Sequence, residues 1–322
     1  MPDRTSRAAQ GIAMLGATGS GKSTFLGALP IALLRRAQQD PEQRWRLWSR
    51  DKASREALID MDIALNSKGA FPFATQRIDN FDWILDGRLQ RAERAGRLGG
   101  VRRFDERVEV TLRLTDPSGE LYRPDQMGQQ IRQELVEHVA SSRGILYMFD
   151  PIREYLKGDA YENTANMLME VNAEVADHPD FDGRLPHHVA VCVTKLDEPR
   201  VFRTAQSLRL LAPDPHHPLG FPLVHGSDAR TLLQSLCKVG RSGAGEVLPQ
   251  LLETYFHPER ITYYATSAVG FMVNRHTRRF DGQDTENVYR VASGETLVRG
   301  PVNPVNVSEP VVWLVEQLAL GG

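Results

Sequence analysis

The sequence has little cysteine, little lysine and no long hydrophobic run. Its 322 residues include two cysteines, Cys192 and Cys237, too few for a disulfide framework and without metal-ligand spacing. No apolar run approaches the ~18 residues of a membrane span, and the polar start is no signal peptide. Lys+Arg 39 against Asp+Glu 41 gives a net charge of −2, so no general basic field favours nucleic acid. We expect a cytoplasmic protein with no integral membrane segment and no nucleic-acid partner.

Short apolar runs alternate with helical patterns along the chain. This alternation predicts an α/β fold, a mostly parallel six-stranded sheet with one antiparallel edge strand and helices on both faces. We expect a single domain over residues 1–322, with insertions at approximately 36–71, 198–246 and 269–307. The strand-like segments are 12–15, 78–89, 107–115, 145–149, 189–193 and 261–265.

Residues 78–89 and 107–115 predict a pair of antiparallel strands. The second segment alternates apolar and polar side chains, as a half-buried strand does. Six arginines and one acid lie in 88–103 between them, with Gly99 and Gly100 near its end. We interpret this basic run as a solvated loop, with a partner or phosphate contact as the alternative.

A phosphate-binding pattern, GxxxxGK[ST], directly follows the first strand and opens the first helix. Glycines let successive backbone N–H groups turn inward around phosphate oxygens, and the helix N-terminus adds positive charge. Lysine then supplies a cation for the β- and γ-phosphates, and the final hydroxyl supplies a Mg²⁺ ligand. The segment predicts nucleotide binding by Gly16, Ala17, Thr18, Gly19, Ser20, Gly21, Lys22 and Ser23, with Thr24 following.

A DxxG pattern stands at the end of the second strand of the pair. Asp116 there is a candidate Mg²⁺ ligand, directly or through water, and the Gly119 N–H is a candidate sensor of the γ-phosphate. A plain Asp-Pro-Ser-Gly turn explains the same letters. Its place at a strand terminus after a phosphate-binding loop favours the functional interpretation.

A third pattern, Thr194-Lys195-Leu196-Asp197, closes the strand 189–193. Guanine carries N1–H and N2–H donors that one carboxylate accepts together, and adenine has no such pair. Asp197 is therefore our candidate for base selection, with the Lys195 stem along the base plane and its head near the phosphate-binding loop. Ser267 and Ala268 follow the last strand, where a backbone N–H could meet the guanine O6.

In letters and order, GATGSGKS, DPSGE, TKLD and TSA resemble the Ras-like (TRAFAC-class) P-loop GTPases. The resemblance implies a P-loop NTPase G domain that binds GTP or GDP with Mg²⁺. It also implies a first-switch threonine that binds Mg²⁺ in the triphosphate state, for which Thr75 is our candidate. A Pro turn before a strand is the alternative there. The segment containing Thr75, the DPSGE ending and the long first insertion also resemble bacterial double-GTPases of conflict and signalling operons.

Glu120 departs from the resemblance, since Ras-like enzymes usually have glutamine there to orient the attacking water. A carboxylate is anionic near the γ-phosphate, so it either acts as a base, points away or repels the substrate. We therefore expect a slow GTPase with catalytic candidates Glu120, Lys22 and Thr75. It would act as a switch toward a protein effector or regulator, a paralogous GTPase included. The alternatives are a nucleotide-locked scaffold without turnover and a P-loop ATPase or kinase.

Overall fold

The structure is a computed structural model of the chain. It describes residues 11–40, 44–72, 79–94, 101–116, 129–177, 181–214 and 217–320. The strands are β1 (Gly11–Leu15), β2 (Arg46–Trp48), β3 (Asp79–Arg94), β4 (Val101–Asp116), β5 (Gly144–Phe149), β6 (His188–Val193), β7 (Ala212–Pro213), β8 (Pro222–Leu223), β9 (Ile261–Ala265), β10 (Val288–Arg290) and β11 (Thr296–Val298). The helices are α1 (Lys22–Gln39), α2 (Lys52–Asp62), α3 (Gln129–Ser141), α4 (Pro151–Lys157), α5 (Ala160–Val175), α6 (Pro199–Ser207), α7 (Gly226–Lys238), α8 (Leu248–Tyr255) and α9 (Ser308–Leu320).

Seven strands form the central sheet, in the order β2-β3-β4-β1-β5-β6-β9. The run from β4 to β9 is parallel, and antiparallel pairing is confined to the edge where β3 pairs with β4 and β2. This confirms the predicted α/β class, the mostly parallel sheet and its antiparallel edge. The predicted strand count of six is one too low, because Arg46–Trp48 pairs with residues 84–86 of β3.

Side chains of the central strands alternate between two hydrophobic cores, one on each face of the sheet. In β5, Ile145, Tyr147 and Phe149 pack into one core, and Leu146 and Met148 pack into the other. Every residue of β5 is buried, as expected of a parallel strand covered on both faces. Helices α3, α5, α7 and α8 supply side chains to the first core, and α1, α2 and α9 to the second. Helices on both faces were predicted and are confirmed.

The β3–β4 hairpin is longer than the two predicted strands. Sixteen residue pairs join its arms, from Asp79–Asp116 at one end to Arg94–Val101 at the other. Our interpretation of 88–103 as a solvated loop is therefore wrong for the residues that pair across the hairpin. Ladder hydrogen bonds use backbone groups, so a run rich in arginine forms them as readily as an apolar one. The connecting residues 95–100 lie outside the described part of the chain.

The three segments predicted as insertions carry secondary structure of their own. Helix α2 lies in the first, and α6, α7 and the small β7–β8 pair lie in the second. The third contains the β10–β11 hairpin, which forms a separate two-stranded sheet. Within the described ranges, no helix is long and apolar enough to cross a membrane.

Candidate functional site

The loop between β1 and α1 has the backbone conformation that its glycines predict. Gly19 and Gly21 have φ of 78° and 93°, in the left-handed region that glycine adopts without strain. At Gly16 the reason for glycine is close approach, because a Cβ there would lie 2.7 Å from the Met148 carbonyl oxygen. Lys22 begins α1, with Gly21 as its N-cap. The strand, loop and helix required by the phosphate-binding pattern are therefore present in order.

Lys22 and Ser20 place polar atoms inside this loop. The Lys22 Nζ donates hydrogen bonds to the Gly16 carbonyl at 2.8 Å and the Ala17 carbonyl at 3.3 Å. The Ser20 side chain is fully buried, and its Oγ has no hydrogen-bond partner among the described residues. An unsatisfied buried hydroxyl is costly unless something outside the fold bonds it. The loop thus offers a cation, a hydroxyl and the N-terminus of an 18-residue helix to one ligand.

Asp197 and Ser267 form a buried pair between the loops that follow β6 and β9. The Ser267 hydroxyl donates to the Asp197 Oδ1 at 2.5 Å and accepts the Gly270 N–H at 2.8 Å. Asp197 is 6% exposed, and burial raises its pKa to about 6, with the Ser267 hydrogen bond opposing the rise. The backbone supports this geometry, since Leu196 N–H donates to the Thr266 carbonyl at 3.0 Å. One carboxylate oxygen is fixed by Ser267, so the aspartate has a defined orientation.

Lys195 and Thr194 are held by the end of β5. The Lys195 Nζ donates to Asp150 Oδ2 at 2.7 Å, and the expected approach of its head to the phosphate-binding loop stays a prediction. An oppositely charged carboxylate with 5% of its side chain exposed is the stronger partner for an ammonium group than a carbonyl. Thr194 Oγ1 donates to the Phe149 carbonyl at 2.9 Å. Lys195 also has a φ of 60°, which is unusual outside glycine.

Arg153, in α4, links the end of β5 to the phosphate-binding loop. Its guanidinium bonds both carboxylate oxygens of Asp159 and donates to the Thr18 carbonyl at 3.4 Å. Sequence reasoning missed both Asp150 and Arg153. A detectable signal was the Asp150-Pro151 pair directly after a buried strand, which is typical of a helix N-cap followed by proline at the first position.

A single cleft joins the phosphate-binding loop to the predicted base-selecting residues. Its empty volume is about 700 Å³. The walls come from α1 and its loop, from the segments after β6 and β9, and from Phe71. The residues that line it include Ser20, Gly21, Thr24, Thr194, Lys195, Asp197, Thr266 and Ala268. The structure therefore brings the first, third and fourth sequence motifs to one place.

The second motif is only partly described. Asp116 ends β4, which pairs in parallel with β1, so its backbone lies at the sheet edge from which the phosphate-binding loop leaves. Thr75, Gly119 and Glu120 lie outside the described residues. Ser23 is half-buried in the first turn of α1. No cluster of three or more His, Cys, Asp or Glu side chains that could hold a metal exists among the described residues.

Comparisons with known proteins find a likeness in structure but none in sequence families. No protein-family model matches the chain, and no curated protein matches it. This chain is similar in structure to the Arl6 BBS3 small GTPase from Trypanosoma brucei, solved with the bound nucleotide analogue GppNp. The match covers 97% of this chain and 99% of that one. The sequence identity is 11% and the TM-score is 0.36, values at which the likeness has no bearing on function. The finer resemblance to double-GTPases receives no support from these comparisons.

The fold and the site define this chain as a mostly parallel α/β protein with a glycine-rich loop between its first strand and first helix. The cleft lies at the carboxyl ends of the parallel strands, where ligands of open α/β sheets bind.

Proposed function

We propose that this protein binds GTP and GDP with Mg²⁺, hydrolyses GTP slowly and acts as a nucleotide-dependent switch toward a protein partner. The observation that carries the proposal is the common cleft, because a nucleotide needs a phosphate site and a base site within its own length. The phosphate-binding loop and Asp197 line the same 700 Å³ space. Neither motif alone points to a guanine nucleotide, and their contact with one cavity supports that proposal.

Asp197 would select guanine over adenine. Its Oδ1 is occupied by the Ser267 hydroxyl, which orients the carboxylate and leaves acceptor capacity for N1–H and N2–H of the base. Adenine lacks this donor pair, so it would leave the second oxygen of a buried carboxylate without a partner. The apolar side chains of Phe25, Phe71 and Val269 line the same cleft and suit the faces of a purine.

The phosphates would lie in the loop before α1, held by backbone N–H groups, the helix N-terminus and Lys22. The Lys22 ammonium group lies within hydrogen-bond distance of two loop carbonyls, and a β- or γ-phosphate would be a stronger partner for it than a carbonyl. The unpartnered Ser20 hydroxyl would gain a partner in the same step.

Ser23 and Asp116 fit a Mg²⁺ site by chemistry and by place. Both donate oxygen, the ligand atom that Mg²⁺ prefers, and their backbones belong to the adjacent β1–α1 and β4 segments. When bound, Mg²⁺ would offset the charge of the phosphate oxygens. Thr75 would add a third oxygen in the triphosphate state, and Gly119 would report the γ-phosphate through its N–H. Glu120 replaces the usual glutamine, and we propose that hydrolysis is slow for this reason.

The decisive experiment is extraction and chromatography of nucleotide from the purified protein, followed by GTP and ATP turnover with Mg²⁺. Guanine nucleotide with slow GTP turnover supports the proposal. Guanine nucleotide that stays intact on incubation favours a locked scaffold instead, and bound adenine nucleotide overturns the assignment of Asp197.

Two variants refine the test of base selection. In Asp197→Asn the new amide would face the guanine N2–H₂ with N–H rather than oxygen, so GTP should bind at least about tenfold more weakly. Xanthine carries a carbonyl at that position, so xanthosine triphosphate should bind this variant better than GTP. Asp281→Asn, an exposed carboxylate outside the cleft, is the matched control and should keep wild-type affinity.

A further inference from the structure

The β10–β11 hairpin borders the cleft, although no sequence motif points to it. Val288 and Thr296, one from each strand, line the cleft together with Asp197 and Gly21. Val288 pairs with Val298 across the hairpin, whereas Tyr289 pairs with Leu297 on the alternate face. Tyr289 is 45% exposed. One face of the hairpin therefore belongs to the cleft, and the other faces away from it.

The hairpin is also attached to the segment that contains Phe71, another residue of the cleft. Val298 N–H donates to the Gly69 carbonyl at 2.7 Å, and Ala70 forms an antiparallel bridge with Leu297. Gly69 has a φ of 61°, a left-handed conformation for which glycine is suited. These backbone contacts join two separate stretches of chain, each of which contributes residues to the cleft.

Asn287, the residue before β10, attaches the hairpin to the loop after β9. The Asn287 side chain is 1% exposed and donates to the Val269 carbonyl at 3.0 Å and the Pro301 carbonyl at 3.2 Å. The Asn287 Oδ1 accepts the Gly300 N–H at 3.0 Å. Val269 directly follows Ala268, so the asparagine connects the hairpin to the segment beside the buried Asp197–Ser267 pair. Hydrogen bonds therefore anchor the hairpin at two places. One is the Val298–Gly69 contact, and the other is the contact of Asn287 with the loop after β9.

We propose that the β10–β11 hairpin is a wall of the purine site and that its contact with Gly69 and Ala70 controls nucleotide release. The inference rests on the proposed function and adds residues that the signature motifs do not contain. Val288 and Thr296 contact the base or ribose through apolar surface. The nucleotide leaves after the hairpin separates from the Gly69–Ala70 backbone, because that contact holds together the two stretches of chain that carry Phe71, Val288 and Thr296.

The first test fills the cleft. Val288→Trp and Thr296→Trp should each weaken binding of a fluorescent GDP analogue by at least about tenfold, since the indole occupies the space of the ligand. Tyr289→Trp adds the same ring to the opposite face and should keep wild-type affinity. Thermal melts verify that each variant is folded. Wild-type affinity in both cleft variants would overturn the assignment of the wall.

The second test locks the contact without adding bulk. In Ala70→Cys/Leu297→Cys, two residues bridged in an antiparallel pair can form a disulfide. The oxidised protein should release GDP about tenfold more slowly than the reduced one, because the two chain stretches no longer separate. The single-cysteine variants, treated alike, control for oxidation of Cys192 and Cys237, which are buried. Equal release rates, or no disulfide by mass spectrometry, would overturn the proposal.

Failure of this inference differs from failure of the proposed function. A wild-type protein that binds no guanine nucleotide removes the proposed function and the purine wall with it. A wild-type protein that binds GDP, with tryptophan and disulfide variants that behave like it, leaves the proposed function in place and refutes the wall alone.

Discussion

Lowering the pH from 7 to 5 should weaken guanine-nucleotide binding through a single buried carboxylate. Asp197 must be ionised to accept both donors of the base, and burial raises its pKa to about 6. Protonation converts one acceptor oxygen into a donor, which opposes the guanine N–H groups. Affinity is therefore full well above pH 6 and is lost as the pH falls through that value.

The size of the effect follows from the ionised fraction. With a pKa of about 6, roughly nine-tenths of the free protein is ionised at pH 7 and roughly one-tenth at pH 5. The apparent dissociation constant for GDP should thus rise about tenfold, or about 1.4 kcal/mol. Removing the Ser267 hydrogen bond with Ser267→Ala takes away an interaction that favours the charged form. The midpoint should then move to higher pH.

The assay is titration of a fluorescent GDP analogue between pH 5 and 8 at constant ionic strength. The terminal phosphate of the nucleotide also titrates near pH 6, so the pH profile of wild type alone is ambiguous. Asp197→Asn removes the carboxylate and keeps the phosphate titration, which makes it the control. The ratio of the two dissociation constants isolates Asp197. A ratio that is constant over this range would refute the reasoning.

Three further predictions concern backbone geometry and stability. Gly16→Ala should abolish nucleotide binding, because its Cβ would lie 2.7 Å from a carbonyl oxygen, and equilibrium dialysis measures the loss. Trp83→Phe should lower the free energy of unfolding by about 1–3 kcal/mol in urea titrations, because the fully buried indole donates to the Ser54 carbonyl at 2.8 Å. Burial lowers the pKa of His187 from 6.5 to about 4, so stability present above pH 6.5 should fall by about 3 kcal/mol as the pH drops toward 4.

Each of these predictions has a matched comparison. Gly11→Ala, at the start of β1, adds a methyl group whose nearest atom would lie at 3.7 Å, at a backbone without positive φ, so its effect on binding should be smaller. Trp48→Phe removes an indole N–H that has no partner among the described residues, and its cost should be below that of Trp83→Phe. His187→Gln keeps a donor for the Val139 carbonyl and does not titrate, so the free energy of unfolding of this variant should fall less steeply at acid pH. Equal behaviour within any pair would contradict the corresponding argument.

The parts of the fold that sequence predicts depend on local patterns. The β5 and β6 strands are continuous apolar runs. The glycine-rich loop between β1 and α1 is specified by a motif within one stretch of eight residues, 16–23. The residues of the buried Asp197–Ser267 pair are predictable as parts of two motifs, since each follows a strand. Their contact follows from parallel strands ending at one edge.

What sequence does not predict depends on long-range pairing or on very short elements. The Lys195–Asp150 ion pair joins residues 45 positions apart, and no local pattern announces it. Strand β2 has three residues, too few for a periodicity to be read. Strands β10 and β11 also have three residues each, so the hairpin beside the cleft is recognised only when its backbone bonds to Gly69 are seen.

The long β3–β4 hairpin lies between two segments of chain that carry candidate residues from the sequence. Asp79 and Asp116 form its last residue pair, and Thr75 and Gly119 lie four residues before and three residues after that pair in the sequence. Strands joined by a continuous ladder do not slide singly, because a one-residue slip would reverse every side chain. The ladder therefore fixes the separation of Asp79 and Asp116, the described residues nearest to Thr75 and Gly119 in the sequence.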